Sequence, residues 1–299
     1  MPPALLTAFF FALTAVCARR AALLLGAAPA NFARLLLAAL LLGIWAHMVG
    51  AGLGGGALGW FLLSGLAGFG VGGLTMFHAL PRAGSNLAML IVQCGTALVA
   101  ATLEWFWLGT RLSGAQIGCA VLVLAGVALG LLPRNLPGVP RRVLWTGIAL
   151  AALSACGQGA GAVLSRRAFA ELRAAGGMID PGSAAYQRVL GGLLVALIGL
   201  AWWCWRRRGA AVPARPDWRR AAPWVGANTL SGPVLGVTAY QWALSLAPAG
   251  VVQSIVATAP LLTAPLAWRL GEATPRPLYF AGAALAVAGT AGLFWTAGW

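Results

Sequence analysis

Two arginine pairs, Arg19–Arg20 and Arg166–Arg167, each close a long apolar run in a chain that is otherwise poor in charge. A guanidinium carries a fixed positive charge and a planar fork of donors that matches a carboxylate or another planar anion. At the end of an apolar helix the same side chain can also snorkel to the headgroup layer and anchor the helix there. The pairs therefore read either as anchors or as charges facing a wet vestibule that attract an anionic group. Arg34 and Arg188 lie behind Phe32 and Tyr186, near the starts of two further apolar runs, and are expected to anchor rather than to bind. Acids are fewer still: Glu104, Glu171, Asp180, Asp217 and Glu272. Only Glu104, in AATLEWFWLG, falls inside an apolar run. Trp105 and Trp107 beside it speak for interfacial depth. In a low-dielectric cavity the same carboxyl would instead be the proton-coupling residue.

Neutral polar side chains within apolar runs supply the remaining contacts. Gln93, Gln158, Asn228, Tyr240 and Gln253 are candidate substrate contacts, with Trp60 and Trp242 as stacking surfaces; each polar group could equally bind helix to helix. Residues 157–161, Gly-Gln-Gly-Ala-Gly, set an amide among small residues that permit close approach. His47 and His78 form no metal-ligand pattern, and the five cysteines show no paired spacing. No paired catalytic carboxylates, phosphate-binding glycine loop or Ser-His-Asp set is present, so neither an enzyme nor a metal or other cofactor is expected.

The elements that must position these residues follow from composition. Of 299 residues, 61% are hydrophobic and 8% charged, far below the roughly 25% charge of a soluble domain. Apolar runs of about 20 residues, each able to cross the hydrocarbon layer as a helix, recur throughout. They predict an all-α polytopic membrane protein with ten spans at 4–18, 32–50, 57–79, 86–107, 113–132, 143–165, 186–205, 221–244, 249–268 and 278–297. The net charge of +15 is carried by arginine alone and is spread between the spans, which suits anionic lipid headgroups and excludes a nucleic-acid partner. A lysine-free, alanine- and arginine-rich chain fits a bacterial cytoplasmic membrane.

Landmarks recur in order. Ala-Arg-Arg-Ala at 18–21 returns as Ser-Arg-Arg-Ala at 165–168, Phe32-Ala33-Arg34 as Tyr186-Gln187-Arg188, and Leu108-Gly109-Thr110 as Leu270-Gly271-Glu272. The chain thus reads as two repeats, 1–136 and 137–299, of five spans each. Five is odd, so the second repeat enters the bilayer from the opposite face, and inverted halves can expose a central site to each side in turn. A small-molecule carrier is the expected reading.

Arg-Arg followed by Phe-Ala-Arg-Leu-Leu, then Ala-Leu-Pro-Arg-Ala-Gly, and Pro260 through Leu270-Gly271-Glu272 with Gly282 and Gly289, resemble the EamA-type drug/metabolite transporters. Thr110 stands where that pattern has a glutamate in the first half. The resemblance implies ten helices and a cavity formed by the first, third and fourth helix of each half. It also implies export or exchange of small metabolites, often amino acids, with Pro260, Gly271, Glu272 and Gly282 as structural motif positions. Proton coupling and pairing into a homodimer are both compatible with such a carrier. The alternatives are a lipid-handling, flippase-like carrier and a membrane scaffold without flux. Connections after odd-numbered spans hold 15 arginines against 5 elsewhere, which places them in the cytoplasm and both termini outside; the resemblance implies both termini inside.

Overall fold

The computed structural model describes residues 2–132, 138–206, 217–269 and 277–296. They form α1 (Pro2–Leu25), α2 (Ala27–Met48), α3 (Leu58–Gly65), α4 (Gly73–Ala83), α5 (Ser85–Leu108), α6 (Gly114–Leu131) and α7 (Arg141–Ala174). Then come α8 (Pro181–Arg206), α9 (Trp218–Thr229), α10 (Val237–Leu246), α11 (Ala249–Val256), α12 (Ala259–Arg269) and α13 (Pro277–Thr296). No strand occurs among the described residues. A π-helical turn, Leu66–Gly72, joins α3 to α4, and a second, Leu230–Gly236, joins α9 to α10, so each trio runs as one rod. In lipid every backbone polar group must be satisfied within the chain, and a helix does this locally.

Among the described residues eight helices are long and apolar enough to cross a bilayer, including Pro2–Leu25, Leu58–Ala83 and Arg141–Ala174. The expected spans at 221–244 and 249–268 fall on α9–α10 and α11–α12. Both arginine pairs lie inside helices rather than at their ends. Alanine, leucine and arginine all favour helix, so α1 runs on to Leu25 and α7 to Ala174, where Gly26 and Gly176 with positive φ turn the chain. Other starts are set by side chains: Ser113 and Gln116 form a reciprocal cap on α6, and Asp180 Oδ1 accepts the Ser183 N–H at the start of α8.

Helices α2 and α8 pack antiparallel, and so do α6 and α13. The end of α2 meets the start of α8, where the Ala51 N–H donates to Ser183 Oγ at 2.9 Å and Gln187 donates to the Gly52 and Gly54 carbonyls. Helices α6 and α13 cross antiparallel through glycine: a Cβ on Gly126 would lie 2.5 Å from the Ala286 nitrogen, and one on Gly289 2.7 Å from the Val123 nitrogen. Large apolar side chains such as Phe106, Ile198, Trp202 and Val287 face outward, suited to hydrocarbon. The connections at 49–57 and 175–180 share one end of the bundle with the α10–α11 junction; Gly26 and Gly84 mark the other.

Candidate functional site

The polar residues gather in two layers near the end that carries 49–57. The outer layer is charged. Glu104, in the last turns of α5, is 2% exposed and accepts Arg166 Nε at 3.0 Å. Its second oxygen accepts the Ala249 N–H at 2.5 Å, with the Gly250 N–H at 3.4 Å, so the carboxylate also caps the positive end of α11. Arg166 in turn donates through Nη1 to the Leu244 carbonyl at 2.7 Å, and Arg173 donates to the Ser245 carbonyl. One carboxylate therefore ties α5 to α7 and α11, and through Arg166 to the end of α10. Alongside, Glu171 joins Arg167 Nε at 2.8 Å and accepts Trp60 Nε1 at 2.5 Å. Trp60 packs edge-on against Trp107.

The inner layer centres on Arg188, which is 6% exposed. Expected to anchor at the interface, it is instead buried between helices. The apolar run suggests a span beginning at 186, yet Asp180 caps and Pro181 starts α8 five residues earlier. Arg188 thus stands about 10 Å along the helix from its start. Nη1 donates to Ser165 Oγ at 3.1 Å and the Gly161 carbonyl at 3.3 Å, while Nε has no partner. The guanidinium lies 5.1 Å from the Tyr240 ring centre and 5.6 Å from that of Phe69. The Tyr240 hydroxyl faces both Arg188 and Gln253. Ser64 Oγ donates to the Gly161 carbonyl at 2.6 Å and pairs with Ser165 Oγ at 2.8 Å, closing the floor of the cluster.

Glycine lets these backbones meet. Gly161 faces the Ser64 carbonyl and Gly68, and Gly157 faces the Gly72 nitrogen, so residues 157–161 lie directly on the first π-helical turn. Gln158 donates to Ser154 Oγ, which donates to the Gly72 carbonyl. Across the bundle Asn228 Oδ1 accepts Thr14 Oγ1 at 2.8 Å.

The structure therefore brings together Tyr240 and Gln253 around Arg188, Trp60 around Glu171, and Arg166 around Glu104. It does not bring in Gln93, half-buried on α5, or Trp242, which is exposed. Arg19 and Arg20 are exposed near the opposite end, where Arg20 stacks on Trp224 in a shallow groove with Leu23, Leu24 and Arg220. Pro260 lies in the first turn of α12, beyond the break at 257–258, and Gly282 packs on Gly126 and Gly130. Gly271 and Glu272 lie outside the described residues. Sequence reasoning missed Ser64 and Ser165 and misjudged Arg188; the Asp180-Pro181 helix start was the signal that would have moved Arg188 inward.

Similarity to known proteins extends over nearly the whole chain. A solved structure titled only "Crystal structure of protein" matches with a TM-score of 0.70 at 22% identity, covering 99% of this chain and 96% of that one, which shows a shared fold. No curated protein matches. The EamA-like transporter family matches residues 3–132 and 145–295. A multi-pass helical protein with these two matching segments belongs to the EamA-like transporter family, within the drug/metabolite transporter superfamily.

Proposed function

We propose that this protein is a secondary transporter that exports or exchanges a small polar metabolite, an amino acid or a related compound, by alternating access. In this reading residues 1–136 and 137–299 are inverted five-helix repeats in a bacterial cytoplasmic membrane. Helices α9–α10 form one of ten crossings and α11–α12 another.

One observation carries the proposal: contacts at the seam recur in pairs related by exchange of the halves. The two π-helical turns are 164 residues apart, Leu66–Gly72 and Leu230–Gly236. Ser64 touches Gly161 on α7, and its counterpart Asn228 touches Thr14, the counterpart of Gly161, on α1. Gly65 meets the Arg188 carbonyl, while Thr229 donates to the Arg34 carbonyl. A repeat in sequence alone would reflect ancestry. A repeat in contacts between antiparallel partners supports two exchangeable arrangements of one seam, the geometric requirement of alternating access. π-helical turns interrupt the regular ladder and suit rods that must bend.

The outer layer fits one closed end. A proton taken up by Glu104 would weaken its hold on both Arg166 and the start of α11, so protonation and opening of that end are linked. Purified protein in liposomes, preloaded with unlabelled amino acids and offered radiolabelled ones outside, is expected to accumulate label by counterflow. An imposed proton gradient is expected to change the rate. Absence of counterflow for every solute offered would defeat the transporter reading, and flux indifferent to the gradient would remove Glu104 from coupling.

A further inference from the structure

Arg188 carries an unusual burden for a membrane-embedded residue. Its charge is permanent, it is 6% exposed, and among the described residues no Asp or Glu lies within ion-pair distance of it. Its partners are the Ser165 and Tyr240 hydroxyls, the Gly161 carbonyl and two aromatic faces, none of which carries a negative charge. By contrast Arg166, one residue from Ser165, has Glu104 beside it. A membrane protein keeps an unneutralised buried cation where a function needs one.

The local geometry specifies the missing charge. Nη1 is engaged by Ser165 and Gly161, whereas Nε has no partner. Nε–H lies on the same edge of the guanidinium as one Nη2–H, and that edge receives planar carboxylates through two parallel bonds. Gly68 gives the guanidinium its room, since a Cβ there would come within 2.7 Å of Nη2. Tyr240 and Gln253 add neutral donors from two other elements of the second half. One cation among neutral donors matches a single negative charge better than a phosphate dianion. Phe69 and Tyr240 offer an apolar surface for the remainder of the solute.

We propose that Arg188 recognises the carboxylate of the transported solute, with Tyr240 and Gln253 as neutral co-donors. This deepens the transporter reading and rests on it. Residues of both halves meet here, Phe69 from the first and Ser165, Arg188 and Tyr240 from the second, so rearrangement of the seam would expose the site to either side.

The test uses the full-length protein and two matched solute series: L-phenylalanine, phenylacetate, phenethylamine and phenyl phosphate; and L-alanine, propionate and ethylamine. Thermal unfolding in detergent reads binding, and counterflow in liposomes reads transport. The carboxylates are expected to raise the unfolding temperature of the wild type, and the amines to leave it unchanged. Arg188→Gln is expected to lose that response and at least 10-fold of carboxylate counterflow. Arg188→Lys, which keeps the charge but not the fork, is expected to retain a weakened response. Gly68→Ala, which fills the space beside the guanidinium without altering charge, serves as the second variant should Arg188→Gln fail to fold; it is expected to weaken carboxylate binding as well. Carboxylate binding lost in Arg188→Gln without counterflow in the wild type would support the site while defeating the transporter reading. Counterflow of amines but not carboxylates would defeat the site while leaving transport intact. Stronger binding of phenyl phosphate than of phenylacetate, an undiminished carboxylate response in Arg188→Gln, or no response to any solute would each overturn the proposal.

Discussion

Glu104 meets Arg166 and the α11 amides in a setting where neither charge can be rehydrated, with 2% of the glutamate and 13% of the arginine side chain exposed. Removing one member of such a pair leaves the other buried and unpaired, at a cost of about 3–5 kcal/mol. Glu104→Gln is therefore expected to lower stability in detergent by that order. The double variant Glu104→Gln/Arg166→Gln should recover part of the loss, and simple additivity in a double-mutant cycle would show that the two do not act as a unit. Asp180 lies outside the spans. Burial pushes its carboxyl up, but hydrogen bonds from the Ser183 hydroxyl and N–H, the Ala51 N–H and the Trp45 indole outweigh this and hold it below the ordinary value of 3.8. Its contribution to stability is thus present above about pH 4 and is lost as pH falls through the lowered value. Asp180→Asn should flatten that part of the acid limb of an unfolding-temperature profile, and an unchanged acid limb would assign the loss to other groups. At this scale the sequence is a partial guide. It singles out Glu104, Arg166, Tyr240 and Gln253 because polar groups in apolar runs are few. It misplaces Arg188, because depth depends on where a helix begins and Asp180-Pro181 lies outside the apolar run.

Among the elements, small residues decide how closely rods approach. Gly126 on α6 faces backbone, where a Cβ would lie 2.5 Å from the Ala286 nitrogen and 2.6 Å from the Gly282 carbonyl, and backbone cannot swing aside as a side chain can. Gly126→Ala must push α6 and α13 apart, and overpacking of this kind typically costs about 1–3 kcal/mol. Gly59, an exposed glycine on α3 with nothing within 4 Å of the position its Cβ would take, is the control: Gly59→Ala should be neutral or slightly stabilising, since alanine favours helix by up to about 1 kcal/mol over glycine. Equal effects of the two substitutions on unfolding temperature would mean that helix propensity, and not close approach, governs these positions. The positions of the long apolar runs are legible because the bilayer demands a fixed apolar length. The bends are not. Hydrophobic periodicity does not distinguish an i to i+5 turn from a regular one, so Leu66–Gly72 and Leu230–Gly236 emerge only once the backbone is traced.

For the whole molecule the decisive quantity is the relative direction of the halves. In the proposed inverted arrangement an odd number of crossings per repeat puts the loops after α2 and α7 on one face, and the Ala51 N–H bonds to Asp180 and Ser183 join those loops directly. The connection before α7 belongs to the opposite face, where Gly147 packs against Arg82 and Ala83. These placements predict a labelling pattern independent of any substrate. With Cys17, Cys94, Cys119, Cys156 and Cys204 replaced by serine, single cysteines at Gly54, Gly176 and Gly138 can be probed with a membrane-impermeant maleimide in intact cells and in inverted vesicles. Gly54→Cys and Gly176→Cys should label in the same preparation, and Gly138→Cys in the other. Labelling of the first two from opposite faces would break the odd count and with it the inverted seam. The same experiment reads absolute orientation. Cytoplasmic retention of arginine predicts that Gly138→Cys is the site protected in intact cells, because the sequence puts 15 of the 20 arginines in connections after odd-numbered spans, as it does residue 138. Its labelling from outside would mean that the inherited direction of insertion prevails over the charge of the connecting segments.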